Sequence, residues 1–231
     1  MKIYLTLVCL LIFFVLSIPI HIAGQVSATS SDNYLSWTSS QAESIGKSTR
    51  ENGKAGGLFD TRIISTNKAI NYSMRATLMT PEVIRAAARV AQLRDRLNDE
   101  QTRKIVKDAE GAGDLIIMIE INPNEGSGVI PLDWRVFLQP KGLPPGSSGA
   151  ITGIKSPQLR KVPALSGLYG RNYEYDVFWV VFPLVDNKKL PLLPTDVAEI
   201  QLIVGIYGSE ARISWKMRDS IREKIRTLTT K

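Results

Sequence analysis

Ala69-Ile70-Asn71-Tyr72-Ser73-Met74-Arg75-Ala76-Thr77-Leu78-Met79-Thr80-Pro81-Glu82 is the stretch that decides the fold. Ile70, Tyr72, Met74, Ala76 and Leu78 alternate with Asn71, Ser73, Arg75 and Thr77. A period of two predicts a strand with one buried face over residues 69–79. The alternation stops at Thr80-Pro81-Glu82, which carries three helix-start signals. Threonine caps free amides, proline suits the first helical turn, and glutamate complements the positive end of the helix dipole.

The helix that follows places Val83, Ala87, Val90 and Leu97 on one side and arginines on the other. Asn98, with Gln101 three residues on, marks the start of a second helix by a reciprocal capping box. Ile105, Val106 and Ala109 form its apolar face, and Gly111 and Gly113 close it. The pair is an αα-hairpin over residues 81–110, inserted behind one strand. Its modest, alanine-rich stripes suit packing on a sheet.

Strands dominate the rest. Residues 115–119 are an unbroken apolar run, as in a strand buried on both faces. Trp134, Val136 and Leu138 alternate with Arg135, Phe137 and Gln139, residues 177–185 are apolar again, and Ile200, Leu202, Val204 and Ile206 alternate. Gly208-Ser209 turns the chain into Ile213, Trp215 and Met217, which predicts a β-hairpin. Met217, Ile221, Ile225 and Leu228 share one face of a C-terminal helix. The expected fold is mainly β with α (α+β): an antiparallel β-sandwich-like domain over residues 61–231, with the helical insert and a final helix.

Outside that domain the sequence changes character. Lys2, an apolar run over residues 3–18, Pro19, and then Ala23 and Gly24 follow the layout of a secretory signal peptide. Cleavage is expected after Gly24 or Ala28; the rival expectation is a retained anchor, since residues 3–22 approach the ~20 needed to span a bilayer. Both place the folded part outside the cytoplasm, secreted or in the periplasm or cell envelope. Residues 25–60, rich in serine and closing with Gly53, Gly56 and Gly57, lack hydrophobic periodicity and read as a flexible linker, within which Tyr34 and Trp37 are placed to dock locally.

The signal segment holds Cys9 and His21, the only cysteine and histidine of the chain. An exported form without them has no His-dependent triad, no Cys–His pair, and no zinc site of thiolates and imidazoles. No calcium-loop pattern, P-loop or dinucleotide fingerprint appears. No metal or cofactor is therefore expected. Carboxylates remain: Glu120, Glu125, Asp133, Glu174 and Asp176 lie at strand ends, and Asp133, Glu174 and Asp176 are the candidates for an acid–base pair acting on an extracellular glycan. Turn and strand-end positions account for them better, since acidic residues at strand ends are where turns put them. Aromatic residues crowd the same region, from Tyr173 and Tyr175 to Phe178 and Trp179, and their alternation favours a core role.

The formal net charge is +7, falling to +6 without Lys2. No acidic residue occurs over 134–173, whereas Arg135, Lys141, Lys155, Arg160, Lys161 and Arg171 do. These six are the candidate binding residues, and the basic C-terminal helix is their expected neighbour. The partners such charge favours are an anionic polymer, anionic lipid or another envelope protein. Nucleic acid is disfavoured, since export removes the usual target and no binding motif is present. The leading expectation is a non-catalytic binding or scaffolding domain.

Overall fold

The computed structural model describes residues 32–56, 71–124, 129–144, 147, 149–166 and 175–230. The signal segment, with Cys9 and His21, lies outside them, as do Glu125, Arg171 and Glu174.

The elements run α1 (Ser39–Lys47), β1 (Arg50–Ala55), β2 (Tyr72–Met79), α2 (Pro81–Asp95), α3 (Asp99–Glu110), β3 (Leu115–Pro123), β4 (Arg135–Pro140), β5 (Ile151–Thr152), β6 (Ile154–Lys155), α4 (Pro163–Ser166), β7 (Asp176–Phe182), β8 (Glu199–Ile206), β9 (Ser209–Lys216) and α5 (Asp219–Thr230). The strands form a five-stranded sheet, β1-β2-β3-β7-β6, and a four-stranded sheet, β5-β4-β8-β9. Every pairing is antiparallel. The expected α+β sandwich with an αα-hairpin and a C-terminal helix is the architecture found.

Alternation along the strands explains the layering. Tyr72, Met74, Ala76 and Leu78 of β2 enter the core between the sheets with Leu115, Ile117, Ile119 and Ile121 of β3. Ile116 and Met118 of β3 point the other way and join Val83, Ile84 and Ala88 of α2 and Val106 and Ala109 of α3 in a second core. The central strand is thus apolar on both faces because helices cover one face and the second sheet the other.

Two glycines mark where the sheets close on each other. At one side β1 meets β9: the Trp215 Nε1–H donates to the Thr49 carbonyl at 2.7 Å, and a Cβ on Gly53 would stand 3.0 Å from Ile213 Cγ1. At the other side the chain crosses from β5 to β6 through Gly153. A Cβ there would lie 2.4 Å from Val180 Cγ1, closer than any side chain tolerates.

The stretch read as a linker is folded over its described part. After a 3-10 turn at Asn33–Ser36, Thr38 and Gln41 form a capping box that starts α1. Tyr34 is buried in the helix-side core, with Trp37 packed against it. Residues 50–55 pair along β2 from Arg50↔Thr77 to Ala55↔Tyr72. Serine and glycine suppress the hydrophobic signal there, yet a short edge strand gains its order from backbone hydrogen bonds to a neighbour. Residues 162–165 follow a 3-10 turn (Pro157–Lys161) and lead into α4.

Thr80 caps α2 as expected, its hydroxyl accepting from the Val83 amide at 3.4 Å. Thr80→Ala should cost about 1 kcal/mol, a fall in melting temperature of roughly 2–4 °C for a domain of this size. Calorimetry checks it; an unchanged melting temperature shows that Pro81 and packing alone hold the helix start.

Candidate functional site

β4 begins one residue after a turn that leaves Leu132 and Asp133 in solvent. Trp134 follows and faces inward, 4% exposed, its ring edge-on to Phe178 at 5.2 Å between centroids. Lys155 reaches the same indole from β6: its Nζ stands 4.3 Å from the ring centre and donates to the Leu132 carbonyl at 2.9 Å. Partial burial lowers the Lys155 pKa, and the negative charge of Asp133 opposes that shift. The ammonium is held by a ring face, a carbonyl and a carboxylate field.

On the other side stands the β8–β9 hairpin. Ile206 pairs with Ser209, so Tyr207 and Gly208 are the whole turn. Their φ angles of 50° and 82° are those of a type I′ turn, which needs left-handed backbone at both positions. Glycine adopts this freely, whereas tyrosine does so at a cost of roughly 1–2 kcal/mol. Tyr207 is 48% exposed, with its ring 6.5 Å from that of Tyr72.

Between these features runs a groove of about 400 Å³ on the outer face of the four-stranded sheet. Asp133, Arg135, Phe137, Ile203, Tyr207 and Glu210 are among its lining residues. Gly205 is its open floor: it pairs with Arg135 and with Glu210, and a Cβ built on it meets nothing within 4 Å. Glu210 is drawn to Arg212 at 3.1 Å. Two apolar side chains stand close by, Leu132 at 97% and Val129 at 85% exposure. Val129 is tied in through its carbonyl, which accepts from the Tyr72 hydroxyl at 3.4 Å.

Of the candidate residues, Asp133 and Arg135 line the groove, and Lys155 stands beside it over the Trp134 ring. The others do not join them. Lys141 pairs with Glu199 past the far end of β4. Arg160 and Lys161 are exposed on the 3-10 turn whose Leu159 packs in the helix-side core. Asp176 is exposed at the start of β7, opposite Ile121. Glu120, by contrast, is buried against Arg50, which donates to both carboxylate oxygens at 3.1 and 2.8 Å. The expected shared face with the C-terminal helix is reduced, because two of that helix's cations are engaged inward. Arg222 donates to the carbonyls of Thr195, Val197 and Met217, and Lys224 to those of Glu110 and Gly113.

Tyr207, Gly205 and Glu210 were missing from the candidates. A Tyr-Gly pair between two alternating apolar runs signals a tight hairpin, but the register that sets Gly205 beside Arg135 depends on how the strands pair. Among the described residues no group of three or more Asp, Glu, His or Cys is placed to hold a metal ion, and no helix is long and apolar enough to cross a membrane. Fold and groove define an α+β sandwich domain with a mixed aromatic and charged cleft. No protein-family model matches the chain, and comparison with curated proteins and with solved structures gives no match.

Proposed function

We propose that this chain is an exported, non-catalytic binding domain of the cell envelope or extracellular space, and that it contacts an anionic partner through the groove beside Trp134. The observation that carries the reading is an open cleft lined by Arg135 and Tyr207 and by Trp134, whose ring Lys155 covers, next to exposed Leu132 and Val129. The N-terminal layout of lysine, apolar run and small residues supports export. Cations beside exposed apolar and aromatic surface suit a partner with negative charge and an apolar backbone or ring.

Dextran sulfate serves as an anionic-polymer probe. Its binding should weaken steeply as salt rises. Arg135→Gln with Lys155→Gln should lower affinity about tenfold, the sum of two partly exposed charge contacts. Lys216→Gln with Arg218→Gln, at the opposite end of β9, should leave it nearly unchanged. Gly205→Leu should fill the groove and weaken binding without loss of stability. Equal losses in both charge pairs would show mere attraction to a basic protein and overturn the proposal. Turnover of a glycan that is abolished by Asp133→Asn would replace it with a carboxylate hydrolase.

A further inference from the structure

We infer that a second site, a cavity between α5 and the start of α2, binds a medium-chain carboxylate, with the apolar chain inside and the head group at Lys224. The cavity holds about 290 Å³ and lies where the two cores meet. Met79, Ile84 and Ile116 line it from the helix-side core, and Leu115, Leu184 and Ile221 from the core between the sheets. All six are nearly inaccessible to solvent.

Size and polarity select the ligand class. An apolar cavity of ~150 Å³ stays dry and takes up benzene; this one is about twice as large. At the ~30 Å³ that one water occupies in the liquid, it accommodates roughly ten methylene-sized groups. The eight carbons of octanoate, its carboxylate carbon included, fit that space.

Lys224 is the only cationic side chain among the lining residues. Its Nζ donates to the Gly113 carbonyl at 2.8 Å and the Glu110 carbonyl at 3.3 Å. Those two bonds cap the C-terminal end of α3 and leave one ammonium hydrogen for a further acceptor. Burial lowers the Lys224 pKa, with Asp114 and Glu110 opposing the shift. The half-buried ammonium, already in the field of Asp114 and Glu110, gains from an anionic acceptor at its open hydrogen, since attraction strengthens where water is sparse.

Three carboxylates share the lining with Lys224, each turned to another donor or cation. Glu110 is 3.1 Å from Arg85, Asp114 Oδ2 accepts the Leu184 amide at 3.0 Å, and Glu223 is 3.4 Å from Arg226. Ser220 and Thr227 stand on the α5 wall, Thr227 exposed at the opening.

Octanoate and octan-1-ol, titrated by calorimetry and by amide chemical-shift mapping, test the inference on the folded chain. Octanoate should bind saturably, shift amides of β3 and α5, and exceed octan-1-ol in affinity about tenfold, as for one charge-assisted hydrogen bond. Lys224→Met should erase that preference and leave octan-1-ol binding in place. Thr227→Trp, which adds bulk at the mouth without touching either core, should abolish both. Should Lys224→Met not fold, Thr227→Trp decides alone. Absence of saturable octanoate binding, an undiminished preference in Lys224→Met, or unchanged affinity in Thr227→Trp overturns the inference.

Discussion

Phe182→Ala is expected to destabilise the domain by about 3–5 kcal/mol, the range for removing a fully buried aromatic ring. Phe182 is 0% exposed and faces Leu115 across the β3–β7 ladder, between the two sheets. Its ring also stands where the chain crosses from one sheet to the other. A Cβ on Gly153 would lie 2.8 Å from Phe182 Cε1 and Cζ, and 2.4 Å from Val180 Cγ1. Gly153→Ala should therefore cost about 1–3 kcal/mol through overpacking. The two losses should not add. With the ring gone, one of the two clashes disappears, and Gly153→Ala in the Phe182→Ala background should be cheaper by roughly 0.5–1 kcal/mol. Val180 remains, so the relief is partial. Urea unfolding of the four proteins measures the cycle. Strict additivity would mean that the crossing moves away from Phe182 when it must, and that Gly153 is not required by packing.

How much of this was legible depends on where each signal is stored. The alternation at Tyr72, Met74, Ala76 and Leu78 and the signals at Thr80, Pro81, Asn98 and Gln101 are local, and all of them describe the folded chain. The continuous run through Ile116, Ile117 and Met118 announces two-sided burial, which the helical layer then explains. Edges are harder. Arg50 to Ala55 has one β-compatible feature, its neighbour β2, and that neighbour is not visible from Arg-Glu-Asn-Gly-Lys-Ala. The capping box Thr38–Gln41 in the same stretch is a readable helix start that serine content obscures. Charge was least legible. An acid-free run of forty residues suggests one basic face, but its cations are divided among two sheets and a 3-10 turn, and Lys141 already has an acidic partner. Asp133 and Arg135 are neighbours in sequence, but Lys155 reaches the Leu132 carbonyl and the Trp134 ring only because the chain crosses between the sheets at Gly153, which residue spacing does not encode.

The ion pair between Arg50 and Glu120 puts the fold of that N-terminal stretch to a direct test. Glu120 is 4% exposed on the helix-side face of β3, opposite Arg75 of β2. Arg50 reaches it from β1, across the intervening strand, with one guanidinium nitrogen bonded to both oxygens. The contact therefore joins the edge strand to the centre of the sheet. Glu120→Ala removes the anion from a largely buried arginine and should cost about 2–3 kcal/mol, in the range of hydrogen bonds to charged groups. Arg50 retains some solvent contact, which places the loss below the 3–5 kcal/mol typical of a wholly buried pair. Replacing both partners by apolar groups, Arg50→Met with Glu120→Leu, should restore most of the stability, because no charge is then left without its counterpart. Hydrogen exchange locates the effect: in Glu120→Ala the amides of Arg50 to Ala55 should lose protection first, while those of β3 and β7 follow only global unfolding. A loose linker would predict the opposite. If residues 50–55 exchange at unprotected rates in the native protein, and Glu120→Ala changes stability by less than about 0.5 kcal/mol, then β1 is not part of the sheet in solution and the folded domain begins at β2.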